Sequence, residues 1–456
     1  MTMKNDVVDL VVIGAGPAGM AAACEARGLG LSVAVLDEQA AVGGQIYRRI
    51  ESAPKALLGI LGKDYAAGQR LADDFRNSGV RHVGGATVWN VTPEGVVSYV
   101  ADGHASEISG KFVLLASGAM ERPFPIAGWT LPGVMGAGAG QIMLKGSGAL
   151  PSDPVVLAGC GPLLYLLAWQ YIRAGVEIAA IVDTTPRSAY VKALRHMRGA
   201  LKGWRDLLKG LRLLSTIRRH GIRVHSGARD LSVAGTVRAE GINFTRNGKP
   251  CHVAAPLVLL HQGVVPNTQL SWSTGAQHRW DAGQLCWKPV TSDAGRLGDT
   301  AVYVAGDSRG IVGAGASAVQ GRIAALDIAQ RLGFASAPER ILALRRDHLR
   351  YTCARPFLDT LYRPQDENRV PPDEVLVCRC EEVTAGQIRK YVDLGCRGPN
   401  QTKAFGRCGM GPCQGRLCGL TVTEVIAQAR GVEPCDVGYY RIRPPIKPVL
   451  LGDFAD

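Results

Sequence analysis

The segment VVDLVVIGAGPAG (residues 7–19) constrains this chain more than any other stretch. Its apolar run predicts a buried parallel strand, and its glycines predict a turn opening directly into a helix. Gly14, Gly16 and Gly19 stand in the spacing G-x-G-x-x-G, with Pro17 and Ala18 between the last two. Gly14 permits the tight turn, Gly16 lets a pyrophosphate approach the backbone, and Gly19 lets helix and sheet pack closely. The helix N-terminus adds free N–H groups and a positive dipole end. A second strand, SVAVLDE, ends 23 residues after Gly14 in Asp37, placed to accept ribose hydroxyls, with Glu38 the neighbouring candidate. Strand, helix and acid in register predict a dinucleotide site.

A second βαβ unit begins at Pro154 and reads VVLAGCGPLLYLLAWQYIRAGVEIAAIVD. It repeats the fingerprint at Gly159 and Gly161, but Leu164 stands where the third glycine belongs, and a Leu there pushes the helix away. Asp183 occupies the ribose position. Three readings stay open for this unit: a structural domain, a site for an adenine nucleotide such as ATP or ADP, or a working NAD(H) site.

Further signals separate FAD from NAD at the first site. Gly43-Gly44-Gln45 follow the acid, and strands are expected at Ala86–Asn90, which includes Val88, and at Phe112–Ser117. A strand over 301–305 runs into Gly306-Asp307, then into a Gly/Ala-rich helix start at 313–321. This order resembles the two-domain, disulfide-reductase-type flavoproteins over roughly residues 7–345. The fold class implied is α/β, with two Rossmann-like dinucleotide-binding domains. The resemblance implies FAD contacts at Gly14, Gly16, Pro17, Ala18, Gly19, Asp37, Glu38, Gly44, Gln45, Val88, Ser117, Gly118, Gly306 and Asp307. It would make the second unit the NAD(P)H domain, which Leu164 questions. Disulfide reductases also carry a close Cys pair beside the flavin, whereas here Gln45 follows Gly44 and no close pair precedes Cys378. Electrons therefore need another acceptor.

That acceptor is suggested by the last quarter of the chain. After the polar, Pro-rich stretch PQDENRVPP, six of the 12 cysteines fall between Cys378 and Cys418. Thiolates at this density suit Fe–S or zinc. The spacing C-x-C, 32 residues, C-x4-C resembles the bacterioferritin-associated-ferredoxin-like [2Fe–2S] domain, above all the form fused to flavin dehydrogenases. The resemblance implies a small helical domain with Cys378, Cys380, Cys413 and Cys418 as ligands. Cys408 is the rival for one position, and a structural zinc site is the competing reading. Cys396 and Cys435 are expected to be bystanders.

The whole chain resembles the alpha-type subunits of opine oxidases, D-hydroxyproline dehydrogenase, a related L-proline dehydrogenase and hydrogen cyanide synthase. The resemblance implies an electron-transfer subunit. Its partner would be a D-amino-acid-oxidase-type beta subunit that oxidises a substrate C–N bond, D-hydroxyproline or an opine. An interfacial FMN and a small gamma subunit can belong to such assemblies. The expected layout is an FAD domain over 1–130 and 291–345, a second domain over 131–290, a linker over 346–372, the cluster domain over 373–430 and an extended tail over 431–456. Nothing in residues 1–20 reads as a signal peptide and no long apolar run occurs, so a cytoplasmic location is expected. The net charge is +13, much of it between Arg187 and Arg223. Steps of three and four residues put these cations on one helical face: a solvated face, or a docking surface. No nucleic-acid module accompanies them.

Overall fold

The computed structural model describes residues 6–334 and 338–454. The first five residues of the expected start and the last two of the tail lie outside the described residues. Two compact units form. One comprises residues 1–120, 265–352 and 441–456; the other comprises 121–264 and 353–440.

In the first unit the apolar Val7–Ile13 strand lies at the centre of a seven-stranded sheet. Val33–Asp37 pairs parallel on one side and His104–Leu115 on the other. Val302–Val304 adds a further parallel strand to the end of His104–Leu115. Leu10, Val11, Val12, Leu36 and Leu114 are wholly buried, as continuous apolar parallel strands must be. The Pro17–Gly28 helix packs against the Ala314–Arg331 helix across the sheet end. Small residues allow this contact. A Cβ on Gly321 would stand 2.1 Å from the Ala18 carbonyl oxygen, and one on Gly19 would stand 1.8 Å from that of Gly14.

The second unit holds a five-stranded parallel sheet. Its order is Val224–Ser226, Ile178–Asp183, Val155–Cys160, Leu257–Gln262, Val134–Gly136. An antiparallel meander over 229–254 closes a core around Phe124, Ile126, Val156, Val182, Phe244 and Val258. The stretch 346–372, expected as a linker, is largely helical. The Pro338–Thr352 helix runs into it, and Arg355–Leu361 and Asp366–Asn368 follow. Three helices, Ala385–Asp393, Pro399–Gly406 and Gly419–Arg430, build the cysteine-rich part. A reciprocal Thr384–Gln387 capping box starts the first of them. No described helix is long and apolar enough to cross a membrane.

Two glycine substitutions test the helix contact. Gly321→Ala should cost about 1–3 kcal/mol, since the methyl must displace backbone. Gly28→Ala, with nothing within 4 Å of its Cβ, should be neutral or slightly stabilising. Thermal unfolding of the two variants reads the difference.

Candidate functional site

The first unit gathers most of the expected dinucleotide residues into one cradle. Gly14 has φ +104°, and a Cβ there would stand 2.5 Å from the Ala116 carbonyl oxygen. Gly16 differs: its nearest neighbour is the Gly44 Cα, 3.8 Å from the Cβ position, so its open side faces no protein. Gly44, at φ +59°, closes the other wall. The Pro17–Gly28 helix has no side-chain cap and no acid in its first turn, which leaves its N–H groups and dipole for an anion. Asp37 accepts from the Ala15 and Gln39 amides at 2.5 and 2.7 Å, which anchors the carboxylate beside the turn. Glu38 is exposed and ion-paired to Lys447 at 2.6 Å, so the C-terminal tail reaches the ribose end of the cradle.

The downstream motif folds as a second wall. Gly306 has φ +77°, and a Cβ there would crowd Ala18 at 2.9 Å. Asp307 accepts from the Val312 and Gly313 amides at 2.8 and 2.9 Å, and so shapes the loop before the Ala314–Arg331 helix. That helix too lacks a side-chain cap and a first-turn acid. Gln320 accepts from the Gly306 amide and its amide nitrogen lies 2.9 Å from His348. Ser117 donates to the Asn267 carbonyl, and Gly118 accepts from the Asn267 amide. Gln45 lies in the loop beside Gly44, and Val88 is buried in the Thr87–Val91 strand. Lys447, Asn267 and His348 escaped sequence reading because each is far along the chain from the motif it supports, and Gln320, inside the quoted helix start, carried no signal of its own. The cradle fits FAD: glycine walls, two uncapped helix starts and a ribose acid lie together.

The second unit repeats the turn but fills it. Gly159 and Gly161 are buried, whereas Gly14 and Gly16 are partly exposed. His261 lies against Gly161 and its Nδ1–H donates to Glu121 at 2.7 Å. Asp183 is wholly buried, and the Tyr165 hydroxyl donates to it at 2.6 Å. Burial holds the Asp183 carboxyl above the usual range. The chain over 362–368 then crosses the strand ends. Cys160 points its thiol at the Tyr362 carbonyl, and the Gln262 side-chain amide donates to the Asn368 carbonyl at 2.9 Å. A ribose here would have to displace Tyr165 from Asp183, and a pyrophosphate would have to displace 362–368. These residues do not fit a bound pyridine nucleotide.

The thiols of the same unit form a knot. The sulfurs of Cys378, Cys408 and Cys418 lie within 4.8 Å of one another and are buried. The Cys380 and Cys413 sulfurs lie 3.8 Å apart. The structure therefore groups the expected Cys378 and Cys418 with the rival Cys408, and leaves the expected Cys380 and Cys413 as a separate pair; every one is a free thiol. Hydrogen bonds from the Cys408 and Cys418 thiols pull the Cys378 sulfur down to about 2, while Cys408 is pushed up to about 12 by the same bond. Full ionisation of so close a set requires a bound cation, and soft sulfur donors suit iron or zinc. Glycines make the knot possible. A Cβ on Gly409 or Gly415 would stand 2.4 or 2.6 Å from the Tyr440 ring, and one on Gly411 would stand 2.2 Å from the Cys380 Cβ. Tyr440 is wholly buried and donates to the Cys408 carbonyl at 3.0 Å. Cys396 donates to the Gly398 carbonyl, and Cys435 is exposed; neither joins the sulfur triad.

Two family models match the chain. The family described as pyridine nucleotide-disulphide oxidoreductase matches residues 8–333, and the sarcosine oxidase A3 domain matches 374–456. The A subunit of opine oxidase from Rhizobium meliloti is 46% identical over 99% of this chain and 88% of its own length. The HcnB subunit of hydrogen cyanide synthase from Pseudomonas protegens is 31% identical over 97% of both. The crystal structure of L-proline dehydrogenase from P. horikoshii shares the fold. It matches all of this chain and 81% of its own at a TM-score of 0.73 and 20% identity.

Two outcomes are expected. Asp307→Ala leaves two loop amides without their acceptor and should weaken FAD retention by about 10-fold or more, read as flavin per chain after gel filtration. Cys378→Ser and Cys418→Ser should each strip iron and acid-labile sulfide, while Cys435→Ser keeps both. Metal analysis of Cys408→Ser decides whether that thiol is a ligand: retained iron assigns the other bonds to Cys380 and Cys413.

Proposed function

Since this chain belongs to the pyridine nucleotide-disulphide oxidoreductase family and to the group of proteins that includes the A subunit of opine oxidase, we propose that it is the electron-transfer subunit of a multi-subunit amino-acid or opine dehydrogenase. On this reading it carries FAD and a [2Fe–2S] cluster. Substrate oxidation at a C–N bond takes place on a partner flavoprotein of D-amino-acid-oxidase type, with D-hydroxyproline or an opine as substrate. An interfacial FMN and a gamma subunit complete the assembly.

The observation that carries this reading is the presence, on one chain, of an open glycine cradle at an uncapped helix start and of a buried triad of thiols with a second thiol pair. FAD, when bound, accepts electrons in pairs and releases them singly to a one-electron [2Fe–2S] centre. The chain's own residues bind and orient. Gly16 and Gly44 make room for the pyrophosphate, the amides of the Pro17–Gly28 helix meet its charge, and Asp37 takes the ribose. Asp307 holds the loop ahead of the second helix start. Cys378, Cys380, Cys413 and Cys418, with Cys408 beside them, hold the iron.

The filled second cleft argues that pyridine nucleotide is not the electron source, although the family name suggests it. An adenine nucleotide there would need Tyr165 and residues 362–368 to move. The test is anaerobic. Purified protein with NADH should keep its flavin colour. The same protein with its D-amino-acid-oxidase-like partner and an opine or D-hydroxyproline should bleach. Rapid bleaching by NADH alone would overturn the reading and make the chain a self-sufficient reductase.

A further inference from the structure

The charge of this protein is concentrated. Residues 187–223 hold eleven Lys and Arg against a single acid, Asp206, so ten of the thirteen net positive charges lie in 37 residues. The segment folds as Arg187–Ala193, Met197–Lys202 and the longer Trp204–Arg219 helix, all in the second unit. Basic helices are usually polar on their outer face. This one is not: Val191, Leu194, Leu201, Trp204 and Leu211 each expose more than half of their surface, and Leu208 is exposed as well.

The arrangement is ordered. The Trp204–Arg219 helix packs on the Pro162–Arg173 helix and buries Ile217, with Leu207, Gly210 and Leu214 half-buried on the same side. At about 100° per residue, Trp204, Leu208 and Leu211 fall in one stripe about 60° wide on the exposed surface. Arg205, Lys209 and Arg212 each follow one residue later and form a parallel cationic band. Leu201 and Lys202 extend both features into the preceding turn.

We propose that this face is a docking surface for an anionic lipid bilayer, on which the protein lies peripherally. The alternation decides between occupants. A protein interface excludes charge, Lys above all, from its desolvated centre. Burying this stripe against a folded partner would bury the adjoining cations with it, at a high desolvation cost unless each met an acid. A bilayer surface meets both demands. Leu and Trp side chains enter the headgroup–acyl boundary, while Lys and Arg stems extend to lipid phosphates. Ten net charges attract an anionic leaflet. No described helix can span the membrane, so attachment through this face would be interfacial. The inference rests on surface charge and exposure and is independent of the redox reading.

Full-length holoprotein is mixed with vesicles of phosphatidylcholine alone, or of phosphatidylcholine with phosphatidylglycerol, and sedimented. Wild type should sediment with the anionic vesicles at least about 10-fold more than with the neutral ones, and added salt should release it. Arg205→Glu/Lys209→Glu/Arg212→Glu should abolish binding, and Trp204→Ser/Leu208→Ser/Leu211→Ser should weaken it strongly. Flavin content and circular dichroism matching wild type show that the variants are folded. Lys202→Glu serves as a single-site check expected to weaken binding in part. Equal sedimentation with both vesicle types, no sedimentation, or undiminished binding by the folded triple variants would overturn the proposal. Loss of co-purification with the partner flavoprotein in variants that still bind vesicles would instead make the face a protein interface.

Discussion

The contact between the Pro17–Gly28 and Ala314–Arg331 helices governs the first unit. Each helix begins just past a glycine, at Gly16 and Gly313, with no capping side chain and no acid in its first turn. An uncapped start is costly unless water or a ligand meets the free N–H groups. Gly306 and Gly321 let the second helix approach Ala18 at the start of the first, closer than any β-carbon would permit. The glycines therefore act beyond local turn geometry. They set the positive ends of two helices on one sheet edge, and a dinucleotide with a central pyrophosphate suits such an edge.

The second unit shows that a fingerprint and a site are different things. Its strand, turn and helix follow the same course as the first, down to the glycine turn and the acid at the end of the next strand. Yet its acid bonds a tyrosine of its own helix, and its strand ends bond backbone carbonyls from 362 and 368. Leu164, wholly buried, already signals the change at the third fingerprint position. An apolar side chain there favours a helix packed for stability over one packed for close approach to a phosphate.

Local features were legible in the sequence and distant ones were not. The first cradle could be read because Gly14, Gly16, Gly19 and Asp37 belong to one βαβ unit, in which spacing alone determines position. Gly306 and Asp307 could be placed through the order of motifs. Lys447, by contrast, lies 409 residues from Glu38, and Tyr362 lies 202 from Cys160; no spacing rule connects them. The polar, Pro-rich segment over 364–372 led to a linker being expected over 346–372, but Arg355–Leu361, just before it, forms a helix packed on Arg187–Ala193 and Met197–Lys202. Among the cysteines, Cys408 to Cys413 and Cys413 to Cys418 have the same C-x4-C spacing. The resemblance favoured Cys413 and Cys418 over Cys408, whereas the fold puts the Cys408 sulfur beside those of Cys378 and Cys418.

That sulfur triad is the tightest thiol cluster among the described residues. Three buried thiols within 4.8 Å can share hydrogen bonds around one thiolate, the Cys378 sulfur, but cannot all ionise without a cation. The elements that deliver them are short: the Leu376–Cys378 strand, the loop after Pro399–Gly406 and the start of Gly419–Arg430. Tyr440 fills the space between the glycines of that loop, and its hydroxyl bonds the Cys408 carbonyl. A metal bound by such thiolates would add its binding free energy to the folding of this small module. A buried tyrosine among glycines keeps the loop in place, and the glycines leave room for no other side chain. This explains why the string GMGPCQGRLC is dense in both residue types: the cysteines supply the donors, and the glycines let them converge.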